Sequence, residues 1–236
     1  GFDVGVARVP IVPAAILFDL AIGNPKVRPD AAMGYEAARN ATREAGEEGS
    51  VGAGTGATVG KLFGMKQATK SGLGSATVEL AGGVKVAALA VVNAFGDVRD
   101  PAGGRILAGA RTAEESLQFA DTVAQMKRGL ARESFGAPGP TNTTLAVVAT
   151  DAAFDRVAAT KVAALAQNGL ACALAPVHTL FDGDIVFALS LGAKRADVNT
   201  VGTAAAEAVA EAIVHAVEKA RSLGGIPSMA DLGRSS

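Results

Sequence analysis

Apolar positions alternate with small or polar ones in parts of this chain and recur every three to four residues in others. Residues 2–8 and the apolar run 14–20 predict two strands near the start. Residues 31–46 carry helical spacing, with Asp30 placed as an N-cap and Gly46 near the end. Glycine dominates residues 49–60, which predict a loop. Residues 74–80 and 84–92 read as two strands joined across Gly82-Gly83 in hairpin style. Residues 96–110 predict a loop, and 112–132 an amphipathic helix capped by Thr112 with Glu115 three residues on. Residues 133–142 are a Pro/Gly linker and the clearest boundary in the chain. A strand at 144–150, a helix at 155–170, a strand at 184–191 and an Ala-rich helix at 198–221 complete the pattern. Strands lying between helices, without regular strand–helix alternation, predict an α+β fold rather than a doubly wound parallel sheet.

Composition narrows the chemistry. Hydrophobic residues make up 49% of the 236 positions and charged residues 19%, which excludes a disordered chain. Lys+Arg is 22 against Asp+Glu 23, so no basic grip for nucleic acid is expected. Glycines and charges interrupt every apolar run short of the roughly 20 residues of a membrane span. Cys172 is the only cysteine, and His178 and His215 are the only histidines. A disulfide framework, a thiolate metal cluster and a multi-histidine zinc site are therefore not expected, nor is any cofactor. The glycine loop, G-S-V-G-A-G-T-G-A-T-V-G-K at 49–61, misses the phosphate-binding pattern at Thr55 and Leu62. Gly52 to Ala57 fits only the weaker dinucleotide fingerprint, with no helix predicted after it. The chain opens on Gly1 inside an apolar run and shows no signal-peptide pattern. The expectation is a fragment or processed chain of a cytoplasmic protein.

The linker ends at Asn142, and Thr143 stands immediately before an apolar strand. This is where a self-cleaving amidohydrolase would place its nucleophile. The hydroxyl attacks the preceding carbonyl, an ester forms, and water releases a new N-terminal threonine. The freed α-amino group, with a reference pKa of about 7.7–8.0, then serves as the base with no histidine needed. The same tripeptide would equally serve to begin a strand. Further on, Asp182 and Asp184 flank Gly183 ahead of another apolar strand. Residues two apart on extended chain face one side, so the two carboxylates are candidates for a shared site, or for a simple Asp-Gly turn. Lys61, at the end of the glycine loop, is either a surface cation or a pocket residue.

The chain resembles the L-aminopeptidase/D-esterase family, which includes β-peptidyl aminopeptidases and nylon-oligomer (6-aminohexanoate oligomer) hydrolases. The matching segments are V-P-I-V-P-A-A-I-L-F-D-L at 9–20, the glycine loop at 49–61, V-V-N-A-F-G-D-V at 91–98, N-T-T-L-A-V-V-A-T-D at 142–151, and H-T-L-F-D-G-D-I-V-F-A-L at 178–189. The resemblance implies an αββα sandwich like that of N-terminal-nucleophile hydrolases. It implies a precursor that cuts itself into a large subunit (1–142 here) and a small one (143–236), together one domain. It also implies αβ units that assemble further, commonly as tetramers, and an N-terminal portion of about a hundred residues beyond Gly1. By resemblance, Thr143 is the nucleophile, Asp182 and Asp184 orient it, Lys61 lies near it, and Asn93 supplies a side-chain amide to the oxyanion. Phe18 stands where nylon-oligomer hydrolases carry Tyr, so substrate contact there is expected to differ. The expected substrates are small peptides, amino-acid amides or ω-/β-amino-acid oligomers. Two alternatives are an acyltransferase resembling ornithine acetyltransferase, whose Ala-Thr-Met cut site is not matched by Asn142-Thr143-Thr144, and a non-catalytic scaffold.

Overall fold

The structure, a computed structural model, describes residues 1–130 and 141–232. In chain order the elements are β1 (Phe2–Asp3), β2 (Arg8–Val9), α1 (Ala31–Arg39), β3 (Thr58–Val59), β4 (Thr69–Lys70), β5 (Leu73–Glu79), β6 (Lys85–Asn93), β7 (Asp97–Arg99) and β8 (Ile106–Ala108). They continue with α2 (Thr122–Lys127), β9 (Thr143–Ala152), α3 (Arg156–Ala173), β10 (Leu174–Ala175), β11 (Ile185–Lys194), α4 (Val198–Glu218) and α5 (Met229–Leu232).

The frame is a four-stranded sheet in the order β11-β9-β6-β5. The β5–β6 hairpin turns where expected, with Gly82 and Gly83 both at positive φ and the Leu80 amide donating to the Val84 carbonyl at 2.8 Å. β6 pairs antiparallel with β9 from Val86↔Thr150 to Asn93↔Thr143, and β11 runs parallel to β9 after the α3 crossover. Strand side chains alternate between faces. Val86, Ala88, Ala90 and Val92 of β6 and Ala146 and Val148 of β9 therefore share one face, and all lie in the buried core with α3 and α4. Each fully buried Val or Ile there, such as Val209 or Ile213, contributes about 1.5–3 kcal/mol. The opposite face carries Asn93 and Thr143 at one end and half-exposed Leu89, Ile185 and Leu189 along it. A smaller antiparallel sheet, β10-β7-β8, adds Val98, Ala108 and Leu174 to the same core.

Asp155 and Asp197 cap α3 and α4, accepting from the Ala158 and Thr200 amides at 2.8 and 2.9 Å. Small residues bring α4 close to the sheet: a Cβ on Gly74 of β5 would lie 2.2 Å from the Ala212 carbonyl oxygen. By length and composition α4 is able to cross a bilayer, contrary to the reading that no run approaches that length. Its apolar positions are instead packed on the sheet and α3, as in a core helix.

Four expectations change. The run 14–20 forms no strand, and only Phe2–Asp3 and Arg8–Val9 pair at the start. Helix α1 keeps its Asp30 cap but ends at Arg39, well before Gly46, and buries no residue that would extend it. The 96–110 segment contains β7 and β8. The helix expected from 112 shrinks to α2, because residues 111–120 fold back on themselves. Thr112 N–H donates to the Gln118 carbonyl at 2.9 Å, Ala120 N–H donates to the Ala110 carbonyl at 2.7 Å, and Asp121 takes a left-handed φ of 58° to cap α2 in place of Thr112. Most of the Pro/Gly linker, residues 133–140, lies outside the described residues.

Candidate active site

Thr143 and Asn93 face each other across the two inner strands. Asn93 is 1% exposed and ends β6 where the chain turns into the small sheet. Its Oδ1 accepts from Lys61 Nζ at 2.6 Å and from the Thr58 amide at 3.2 Å, and its Nδ2 donates to the Phe18 carbonyl at 3.0 Å. Lys61 is 6% exposed, so it is buried and not a surface cation. The turn before it requires glycine: Gly60 has φ +71°, and a Cβ there would lie 1.9 Å from the Ala110 amide nitrogen. From that turn the Lys61 amide donates to the Phe95 carbonyl at 3.0 Å, which aims its side chain at Asn93. Phe18 enters through its backbone, while its side chain is half exposed.

Thr143 is buried, and its Oγ donates to the carbonyl of Asn142 at 2.5 Å. That carbonyl also accepts from the Gly183 amide at 2.9 Å. Asn142 is fully buried, with its backbone and side-chain amides both donating to the Phe181 carbonyl at 3.1 and 3.0 Å. Its Oδ1 is buried without a partner among the described residues, a cost of about 1–3 kcal/mol.

Asp182 and Asp184 converge on this end of the sheet, yet among the described residues neither carboxylate bonds Thr143 itself. Asp182 accepts from the Phe95 amide at 3.0 Å and the Thr179 hydroxyl at 2.6 Å. Asp184 accepts from the Thr144 amide at 2.7 Å and pairs with His178 Nδ1 at 3.0 Å. Burial pushes the Asp184 carboxyl above its ordinary value and the Asp182 charge adds to this, while the Thr144 amide and His178 pull the other way. The Phe95 and Phe181 rings, 5.0 Å apart and tilted, wall the site with apolar surface.

Sequence reasoning gave no site role to Gly183 or Thr179 and read His178 as structural, yet all three touch the candidate residues directly. Their adjacency to Asp182 and Asp184 was the available signal. Lys70, deeper under the glycine loop, also escaped notice. Its fully buried Nζ donates to the Gly54 and Ala57 carbonyls at 3.0 and 2.9 Å and to that of Ser71.

A helix-backed sheet with a threonine hydroxyl on the carbonyl before it, beside buried Asn93 and Lys61, is a geometry suited to attack on a peptide bond. The profile of peptidase family S58 matches residues 3–229, and the chain belongs to that family. An uncharacterized aminopeptidase of Mycobacterium tuberculosis is 38% identical over 98% of this chain and 69% of its own length. A 6-aminohexanoate-oligomer endohydrolase of Kocuria is 28% identical over 80% of this chain and 52% of its own. Among solved structures, a Burkholderia β-aminopeptidase superposes with a TM-score of 0.60 at 25% identity, covering 91% of this chain and 60% of its own. The L-aminopeptidase D-Ala-esterase/amidase of Ochrobactrum anthropi, described as a variant of the Ntn hydrolase fold, gives 0.58 at 22% identity over 83% of this chain and 51% of its own. The chain thus spans between half and two thirds of these solved relatives.

Proposed function

We propose that the whole protein is a self-processing N-terminal-threonine amidohydrolase acting on small peptides, amino-acid amides or ω-/β-amino-acid oligomers. The observation that carries the reading is the Thr143 hydroxyl lying on the carbonyl of its own preceding peptide bond. Attack of Oγ on the Asn142 carbonyl carbon breaks the Asn142–Thr143 bond and forms an ester, which water opens. The large piece then ends at Asn142, the small piece begins at Thr143, and the two remain one domain. The new Thr143 amine, with a reference pKa of about 7.7–8.0, takes the proton of its own hydroxyl when substrate binds. Nucleophile and base come from one residue, so the reaction calls for no cofactor. Asn93 Nδ2, now on the Phe18 carbonyl, marks where an acceptor oxygen sits and is the donor for the substrate's oxyanion. Lys61 fixes the opposite end of that amide.

The names of the relatives, aminopeptidase and 6-aminohexanoate-oligomer endohydrolase, support the substrate class. Phe18, which has no hydroxyl, makes substrate contact in its neighbourhood apolar. We further propose a tetramer of αβ units in the cytoplasm, where the exposed thiol of Cys172 stays reduced.

Intact mass and N-terminal sequencing of the full-length protein test the reading. It expects a small piece beginning at Thr143, and a Thr143→Ala chain that stays whole and turns over no amide. A small piece with any other first residue, or turnover by Thr143→Ala at the parent rate, overturns it.

A further inference from the structure

The turn at 182–184 is held from both sides. Asp182 spends its carboxylate on the Phe95 amide, just beyond β6, and on the hydroxyl and amide of Thr179 at 2.6 and 3.3 Å. Asp184 spends its carboxylate on the Thr144 amide in β9 and on the His178 amide and ring, at 3.3 and 3.0 Å. The same segment runs beside the end of the linker, with Asn142 bridged in parallel to Asp182. Between the two tethered carboxylates the backbone presents one donor to the peptide bond at 142–143, the Gly183 N–H. It lies 2.9 Å from the Asn142 carbonyl oxygen, the atom that the Thr143 hydroxyl also touches.

When Oγ adds to the Asn142 carbonyl carbon, the negative charge develops on that oxygen. A donor fixed there beforehand stabilises the charge without reorganising. We propose that the Gly183 backbone amide is the oxyanion donor of self-cleavage, and that Asn93 serves a different oxyanion, that of the substrate. This rests on the reading that the chain cuts itself at Asn142–Thr143. The step is balanced within the chain and water. The Asn142 carbon–Oγ bond forms, the carbon–nitrogen bond breaks, and the hydroxyl proton ends on the Thr143 nitrogen. Water then adds to the ester, leaving a carboxylate on Asn142 and a hydroxyl on Thr143. Asn93 is not placed for this charge, because its Nδ2 is directed to Phe18.

The test replaces the Asp182–Gly183 amide by an ester in the full-length protein, inserting glycolic acid at position 183 by cell-free nonsense suppression. This replaces the N–H by an ester oxygen, so the donor to the Asn142 carbonyl is lost while the length of the chain is kept. Cleavage, followed by mass spectrometry, is expected to slow about a hundredfold or more. Cleavage of the folded ester chain at the parent rate overturns the proposal. A second measurement avoids any folding failure: in the uncut Thr143→Ala chain, the Gly183 amide should be protected from hydrogen exchange. Exchange at the rate of a free amide overturns the proposal. Failure of the underlying reading shows differently, as a Thr143→Ala chain that still cuts at the same bond.

Discussion

Asn93 holds three partners at once, and its replacement separates two roles. Asn93→Ala should lower kcat of the mature enzyme about a hundredfold or more with KM nearly unchanged, read by steady-state kinetics on an amino-acid amide. A loss confined to KM would show that the side chain binds ground-state substrate only. The same change strips Lys61 Nζ of its 2.6 Å acceptor, while its 3.2 Å bond to the Asn93 backbone carbonyl is kept. Calorimetry should therefore show a stability loss of about 1–3 kcal/mol. Asp184 has a signature in pH. Burial raises its folded-state carboxyl above the ordinary value of 3.8, so the folded protein holds that proton to higher pH than the unfolded chain does. Stability contributed by this group is greatest on the acid side and falls as pH climbs through the raised value. Asp184→Asn should remove that fall from urea midpoints measured from pH 3.8 upward, and an unchanged profile would refute it. The positions of these residues along the chain were legible, because Asn142-Thr143 and the Asp-Gly-Asp turn each stand at the mouth of an apolar strand. The partners were not. A lysine after a glycine run looks like a solvated cation, and only the turn at Gly60 and the approach of Ala110 force it inward.

Among the elements, the glycine loop and the sheet–helix contact carry the constraints. Gly74→Ala would drive a Cβ against the Ala212 carbonyl of α4, and a cost of about 1–3 kcal/mol is expected by thermal melting. No change in melting would mean that α4 moves away freely. Beneath the loop, burial lowers the Lys70 ammonium from 10.5 to about 8, with Asp19 pulling upward. The folded protein sheds this proton before the unfolded chain does. Stability from this group therefore rises with pH between about 8 and 10.5. Lys70→Met should flatten that rise in denaturation curves, and a parallel rise in both proteins would assign it elsewhere. The hairpin and the long capped helices were readable because propensity, capping and burial agree there. Residues 111–120 were misread because helical spacing alone does not register the fold-back that places Arg111 beside Phe119. The run 14–20 is apolar but exposed at Ile16 and Phe18, so its sequence says strand while no strand among the described residues pairs with it.

At the scale of the molecule, the proposed cut falls between two pieces that are woven together. β6 of the first pairs with β9 of the second over eight registered positions, and α4 of the second covers β5 and β6 of the first. Native size exclusion should therefore give one species after cleavage, and denaturing electrophoresis two. Native separation of the pieces would contradict this. The α+β class was legible from the order of strand and helix runs, whereas the parallel β11–β9 pair was not, because pairing direction depends on the α3 crossover and not on any local pattern. The β6–β9 ladder also changes what folding means for this protein. Before the cut, the two strands belong to one chain and find each other at a rate independent of concentration. Afterwards they are separate molecules, and recovery from full unfolding becomes a second-order encounter that dilution slows. On the proposed cut, a melted precursor would retrace its path, whereas melted mature pieces would rejoin more slowly the more dilute they are, so maturation would exchange reversibility for persistence governed by the unfolding barrier.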